Sequence, residues 1–179
     1  MRLIHAFLAL LLGTVATAAV AAPRQIDISP PASEVAFRAY KLGLLPIDGR
    51  FTRFEGRLTL DSENKASCRV ELRVQVASLE TDDPAVRPRV TGPEFMDAAS
   101  FPVLRFVGSC EGSDVAGILA MHGVSRPCAL SLDRHPDALI AEGHIVRSDW
   151  GISAMPLLAG KTVRIRVSVP LTAQTSNHG

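Results

Sequence analysis

Few residues in this sequence have the types and spacing that catalysis requires. His122, Ser148 and Asp149 are the residue types of a hydrolase triad, and Asp82-Asp83 could form an acid pair. The sequence contains no G-x-S-x-G elbow, no H-E-x-x-H, no C-x-x-C and no phosphate-binding glycine loop. Ser148 and Asp149 follow Arg147 in a polar break, which is typical of a turn held by side-chain to backbone hydrogen bonds. We therefore predict no catalytic residues and interpret the protein as a non-enzyme.

The histidines do not have the spacing of metal ligands. His122 lies in a His-Gly-Val segment between two predicted strands, and His135, His144 and His178 show no ligand spacing with it. The sequence therefore predicts no metal site and no catalytic cofactor. His122 is expected to be a turn residue that bonds to the backbone.

The first 21 residues have the order of a secretory signal peptide. Met1-Arg2 provides a positive charge, residues 3–12 are almost all apolar, and Ala19-Val20-Ala21 matches an A-x-A cleavage site. An uncleaved anchor would need about 20 apolar residues, roughly twice the strongly apolar stretch here. We predict a signal peptide over 1–21, export of the mature chain, one domain over 22–171 and a polar tail over 172–179.

The charge balance of the mature chain argues against a nucleic-acid partner. Cleavage removes Arg2 from the 19 Lys and Arg residues, which leaves 18 against 18 Asp and Glu. Nucleic-acid binding calls for a basic surface instead. The mature sequence also has no apolar run long enough to span a membrane. The oligomeric state is left open, a homodimer included.

Apolar residues alternate with polar ones along most of the mature chain, which is the period of a β-strand. Eight such segments occur, separated mostly by Gly, Pro, Asp or Asn, and prolines limit the connection 79–101 to short helical pieces. We predict an all-β fold, an eight-stranded antiparallel β-barrel, with a sandwich as the alternative. The segments centre on residues 35–39, 54–60, 70–76, 104–106, 115–121, 128–132, 141–145 and 163–169.

Several inward positions of these segments carry very small residues. A glycine inside a strand marks either a sharp bend, as at a barrel corner, or the close approach of a ligand. The pattern leaves both interpretations open. The positions are Ala39, Gly56, Gly108, Gly117, Ala141 and Gly143.

The three cysteines predict one disulfide and one free thiol. Cys68 begins the strand that carries Leu72, Cys110 ends the strand that carries Phe106, and both have inward parity. If these strands are antiparallel neighbours, the two Cα atoms can come within the ~4.4–6.8 Å that a bridge requires. Cys128 begins a strand two further along and would lie at the other end of the barrel. We predict a Cys68–Cys110 disulfide and an unpaired Cys128.

Seven stretches, in order along the chain, together cover nearly the whole mature sequence. They are SEVAFRAYKLG (33–43), GRFTRFEGRLTLD (49–61), VASLETDD (76–83), EFMDAASFPVLRF (94–106), GILAMHGVSRPCALSL (117–132), RSDWGI (147–152) and KTVRIRVSV (161–169). In this order they resemble the YceI-like family of periplasmic, lipocalin-like, polyisoprenoid-binding proteins. The resemblance implies a lipocalin-like β-barrel around an apolar interior pocket, with an isoprenoid chain inside and its head group near the mouth.

By position, the resemblance also assigns twelve residues to the lining of that ligand pocket. One departure concerns the Arg-Asp-x-His-Leu segment of many relatives, where this chain reads Val86-Arg87-Pro88-Arg89-Val90. The missing histidine and acid leave head-group preference undefined. The predicted pocket residues are Phe37, Phe54, Leu58, Leu72, Val74, Phe95, Phe106, Leu119, Leu130, Ile145, Trp150 and Ile165.

The leading functional prediction is an exported protein that binds a long-chain isoprenoid lipid, of the quinone or polyprenyl phosphate type, for carriage or sequestration. One alternative is an interaction module linked to stress, whose barrel is merely packed. The other is an enzyme acting on an isoprenoid lipid, which would need polar residues inside the barrel.

Overall fold

The computed structural model describes residues 22–61, 64, 67–155 and 158–171. In this part of the chain eleven β-strands form one antiparallel sheet, accompanied by one short α-helix. The predicted signal peptide (1–21) and polar tail (172–179) lie outside the described residues. The strands are β1 Arg24–Ile28, β2 Glu34–Lys41, β3 Leu45–Phe51, β4 Phe54–Leu60, β5 Cys68–Gln75, β6 Leu79–Thr81, β7 Val103–Glu111, β8 Asp114–Met121, β9 Val124–Arg134, β10 Ala138–Val146 and β11 Thr162–Pro170, and the helix is α1 Arg87–Thr91.

Three pairs of strands are halves of longer, bent stretches of chain. β1 and β2 are separated by a break around the cis Pro30-Pro31 bond, β3 and β4 by Thr52 and Arg53, and β5 and β6 by a 3₁₀ turn at Val76–Ser78. Each stretch pairs along both of its halves, because β1 pairs with β4 and β2 with β3, while β4 pairs with β5 and β3 with β6. The sheet therefore contains eight long stretches of strand.

These eight stretches follow one another around a closed circuit. Each strand from β7 to β11 pairs with its predecessor in the order β5, β7, β8, β9, β10, β11, and β11 then pairs with β2. Because β2 pairs with β3, which runs on into β4, the circuit returns to its start. The architecture is an all-β, antiparallel up-and-down barrel, as the alternation predicted.

The predicted number of eight strands equals the number of long stretches, but the structure divides these stretches into eleven individual strands. The alternation identifies β2, β4, β5 and β7 to β11 but misses β1, β3 and β6. Pro46 and Gly49 interrupt the pattern of β3, and both residue types normally disfavour a strand. β1 has five residues and β6 only three, too few for alternation to stand out.

Ser78 ties two of the breaks together. Its buried hydroxyl accepts a hydrogen bond from the N–H of Arg53 at 3.0 Å and donates to the carbonyl of Gln75 at 2.7 Å. The N–H of Thr52 donates to the carbonyl of Ser78 at 3.2 Å. These bonds satisfy backbone groups that leave the strand ladders at the bends.

The strand register gives the barrel two different ends. At the end that we call the disulfide end, Leu60 faces Cys68 across the β4–β5 ladder. At the opposite end, which we call the covered end, the connection 82–102 and a 3₁₀ turn at Arg147–Trp150 lie across the strand ends. The ring of Phe101 in this connection packs on His122 with ring centroids 4.8 Å apart.

The predicted disulfide is confirmed. Cys68 and Cys110 are bonded, with their Cα atoms 4.9 Å apart and a separation of 42 positions in the sequence. They sit on β5 and β7, which are neighbours in the sheet, so the parity argument places them correctly. Cys128 is buried and free.

Candidate ligand cavity

A cavity of about 130 Å³ lies inside the barrel. Side chains from every strand except β6 contribute to its wall, and the named lining residues are apolar or cysteine. This follows from the alternation along each strand, because most side chains that point into the barrel are apolar and most that point outward are polar. A ligand in this cavity would therefore bury hydrocarbon and form few hydrogen bonds with the wall.

Eight of the twelve predicted pocket residues line this cavity. They come from seven strands and share the inward parity of their strand. Their contact with a ligand stays a prediction, whereas their position at the cavity wall is a feature of the structure. They are Phe37, Leu58, Leu72, Val74, Phe106, Leu119, Leu130 and Ile165.

The other four predicted residues pack in the core without lining the cavity. Phe54 begins β4 at a bend, and Ile145 lies near the end of β10, both toward the covered end. Trp150 is held in the 3₁₀ turn by a hydrogen bond from its indole N–H to the carbonyl of Leu119 at 3.0 Å. Phe95 belongs to the connection 82–102 and lies under the guanidinium of Arg147, 5.6 Å from the ring centroid. These four residues help to close the covered end and do not form part of the cavity wall.

The structure adds lining residues that the sequence prediction left out. Most have the same inward parity as the predicted ones, so strict use of the alternation would have found them. Ile28 and Phe51 lie on β1 and β3, the strands that the pattern missed, and carried no usable signal. The additional members on identified strands include Val35, Val70, Val115, Met121, Leu132, Leu139, Val167 and Val169.

The glycines inside the barrel make room for neighbouring side chains of the protein itself. A Cβ atom at Gly108 or Gly117 would lie within 2.5 Å of a backbone carbonyl oxygen of the neighbouring strand, and 2.8 or 2.9 Å from the ring of Phe106. The ring thus covers two facing glycines, an arrangement known to stabilise glycine in sheets. Gly143 is covered in the same way by the side chain of Leu130, at 2.6 Å from the Cβ position. These three glycines are covered by atoms of the protein itself, whereas Ala141 lines the cavity.

The cavity is small for the ligand class that the resemblance implies. Its volume of about 130 Å³ resembles that of an engineered protein cavity of about 150 Å³ that holds benzene. Pockets for drug-sized ligands usually exceed about 300 Å³. The free space therefore accommodates about one five-carbon isoprene unit, and a longer chain requires side chains such as Phe106 to move.

Arg147 is a buried cation at the covered end, which corrects its interpretation as an ordinary residue of a polar break. Only 7% of its surface is exposed. Its guanidinium donates to the carbonyls of Gly160 at 2.9 Å, Ile152 at 2.9 Å and Ala159 at 3.1 Å. Burial lowers the pKa of the guanidinium. Arg147 thereby fixes the segment between β10 and β11 against the covered end.

Among the residues that the structure describes, no hydrogen bond joins the side chains of His122, Ser148 and Asp149, the candidate triad of the sequence. His122 has its Nδ1 3.2 Å from the carbonyl of Trp150, as expected for a turn histidine that bonds to the backbone. The carbonyl of Asp149 accepts from the side chain of Arg126, and the carbonyl of Ser148 accepts from the N–H of Gly151. Within the described residues, no three His, Cys, Asp or Glu side chains are grouped so as to hold a metal ion.

Comparison with known proteins identifies relatives across most of the chain. The model of the YceI-like domain matches residues 27–171. Protein YceI of Salmonella arizonae is 29% identical over 166 residues, which cover 84% of this chain and 87% of the relative. A UPF0312 protein of Photorhabdus laumondii is 30% identical over 141 residues, covering 76% of this chain and 69% of the relative.

Solved structures share the fold. BcnA of Burkholderia cenocepacia has a TM-score of 0.65 at 21% identity and covers 76% of this chain and 94% of its own. A domain of Saccharophagus degradans, described as polyisoprenoid binding, has a TM-score of 0.58 at 14% identity and covers 81% of this chain and 97% of its own. With the barrel, its inward parity and the domain match over residues 27–171, the chain belongs to the YceI-like domain family.

Proposed function

We propose that this protein binds the hydrocarbon tail of a long-chain isoprenoid lipid inside the barrel. The observation that carries the proposal is the interior cavity, whose wall is apolar throughout and draws on ten strands. A relative in fold, the Saccharophagus degradans domain, is described as polyisoprenoid binding. Quinone and polyprenyl phosphate lipids both have such a tail, and either fits the proposal.

Burial of hydrocarbon supplies enough free energy for this binding. Each buried CH₂ group contributes about 0.8 kcal/mol, so ten chain carbons contribute about 8 kcal/mol before association costs. Part of that gain must offset the movement of Phe106, whose ring now fills the space over Gly108 and Gly117. Chains longer than about one isoprene unit are therefore expected to bind by enlarging the cavity.

The lining favours binding over catalysis. Among the described lining residues the only ionisable side chain is the thiol of Cys128, since Cys68 is in the disulfide. Burial raises the pKa of the Cys128 thiol, so the thiolate form is disfavoured at neutral pH. General acid–base chemistry on a buried tail would need groups that this wall does not supply.

Export to the periplasm is part of the proposal. The Cys68–Cys110 disulfide supports it, because stable disulfides belong to oxidising compartments. None of the helices in the described part of the chain is long and apolar enough to cross a membrane.

The test compares two adjacent residues of β8 that face opposite ways. Leu119 lines the cavity, whereas Ile118 is 47% exposed on the outer wall. The exported protein and the variants Leu119→Trp and Ile118→Trp are titrated by native mass spectrometry with prenyl phosphates of 10, 20 and 55 carbons, lengths of about two to eleven isoprene units. We expect Leu119→Trp to weaken binding of the longer chains by about tenfold, a loss of about 1.4 kcal/mol, and Ile118→Trp to leave it unchanged.

Two results would count against the proposal. If no prenyl phosphate or quinone of any length binds the wild-type protein, the barrel is a packed scaffold and the interaction-module alternative gains. If both tryptophan variants lose affinity equally, the ligand does not occupy the interior.

A further inference from the structure

Exposed apolar side chains are concentrated at one projecting point of the barrel. The β2–β3 hairpin extends beyond the start of β11 at the covered end, and its tip carries Leu42, Leu44 and Leu45, which are 53%, 82% and 56% exposed. Leu158, on the segment before β11, lies beside it, because the N–H of Leu42 donates to the carbonyl of Leu158 at 2.8 Å. We call these four leucines and the exposed Tyr40 the apolar tip.

The turn conformation gives no reason for leucine at the apex. Leu42 and Gly43 have φ of 54° and 70°, the left-handed region in which glycine, asparagine and aspartate are favoured. The β8–β9 turn has the same backbone pattern at His122 and Gly123, with φ of 50° and 75°. There the side chain contacts the ring of Phe101 and the backbone of Trp150, whereas the side chain of Leu42 is turned largely to solvent.

The only charged residues in the two stretches that carry the apolar tip, 39–47 and 151–161, are lysines. Lys41 lies in the hairpin next to the turn, and Lys161 follows the segment that carries Leu158; both are exposed. The stretches 39–47 and 151–161 contain no Asp or Glu. An acid-free apolar point flanked by lysines is complementary to a surface that is anionic outside and apolar beneath.

We propose that the apolar tip inserts into the surface of an anionic phospholipid bilayer. A second copy of the chain fits it less well, because a stable protein interface buries about 800 Å² of surface on each partner. The few side chains at this two-residue turn supply less surface than that. The same lysines would also face one another in a symmetric pair. The tip projects from the covered end, so docking brings the loop-covered end of the barrel to the membrane. This inference does not depend on which ligand the cavity binds.

The experiment measures co-sedimentation of the exported, full-length mature protein with vesicles that contain no isoprenoid. Vesicles of phosphatidylethanolamine and phosphatidylglycerol are compared with neutral phosphatidylcholine vesicles, at low and high salt. The variants are Leu44→Ser with Leu45→Ser, Lys41→Gln with Lys161→Gln, and Ile118→Ser as a matched loss of an exposed apolar residue on the barrel wall. Circular dichroism confirms that each variant is folded.

We expect the wild type and Ile118→Ser to bind the anionic vesicles equally. The leucine variant should lose about tenfold in vesicle affinity, and the lysine variant should lose the preference for anionic over neutral vesicles. High salt should weaken wild-type binding, since screening reduces the attraction of exposed charges. Absence of wild-type binding, or an equal loss in the leucine variant and Ile118→Ser, would overturn the proposal. So would a concentration-dependent dimer that the leucine substitutions abolish.

Discussion

The two ends of the barrel are stabilised by different means. At the disulfide end, strands are joined by a covalent bond between β5 and β7, and the guanidinium of Arg24 on β1 donates to the carbonyl of Leu171 after β11. At the covered end, closure depends on loops held by single side chains, chiefly Arg147 and the indole of Trp150. A covalent bond between strands resists opening, whereas loops held by a few hydrogen bonds can open locally at low cost. We infer that a ligand enters at the covered end.

Loss of the disulfide should have the largest effect on stability. The bridge closes a loop of 42 residues, for which chain-entropy arguments give about 3–4 kcal/mol of stabilisation. We expect Cys68→Ala with Cys110→Ala to lower the free energy of unfolding by that amount in urea titrations. Cys128→Ala, the control, removes a buried thiol without a partner and should cost about 1 kcal/mol. Equal losses of stability in the two variants would contradict the conclusion that the disulfide stabilises this end of the barrel.

Replacement of Arg147 should act on the opposite end. Arg147→Met keeps much of the length but leaves the carbonyls of Ile152, Ala159 and Gly160 without their donor. Because unsatisfied buried acceptors are costly, we expect a loss of about 2–3 kcal/mol. Hydrogen exchange should then rise in 147–160 and stay unchanged at the disulfide end. Uptake of a prenyl phosphate should become faster in the variant, and a slower uptake would argue for access at the other end.

The sequence predicted the strands of the barrel wall better than its ends. Alternation is a local property of each strand, so the parity of residues such as Leu72 and Phe106 was enough to place them at the cavity and to pair Cys68 with Cys110. Arg147 gave no such signal, because the carbonyls that bind it belong to residues brought near it only by the tertiary fold. Trp150 and Phe95 were assigned to the pocket by the resemblance, and no local pattern distinguishes a residue of the cavity wall from one that closes an end of the barrel.

A smaller effect is expected from the bend that Ser78 holds. Its hydroxyl bonds both Arg53 and Gln75, so Ser78→Ala should lower the free energy of unfolding by about 1–2 kcal/mol. Ser33 provides a matched control, because it is equally buried and its hydroxyl has no hydrogen-bond partner among the described residues. Ser33→Ala should be neutral or slightly stabilising in the same urea titrations. If the two variants lose the same stability, burial rather than the bend explains the effect.

The smallest expected change is in the fluorescence of Trp150. The indole is buried and does not line the cavity, but its N–H donates to the carbonyl of Leu119, whose side chain does line it. A chain that displaces Leu119 should therefore shift the emission maximum by a few nanometres at most, since the indole stays enclosed. Undecaprenyl phosphate should cause this shift, while dimethylallyl phosphate, which has the head group and one isoprene unit, should not. A large red shift would mean that the covered end opens fully to water when a ligand binds, and the two ends would then differ more than the structure indicates.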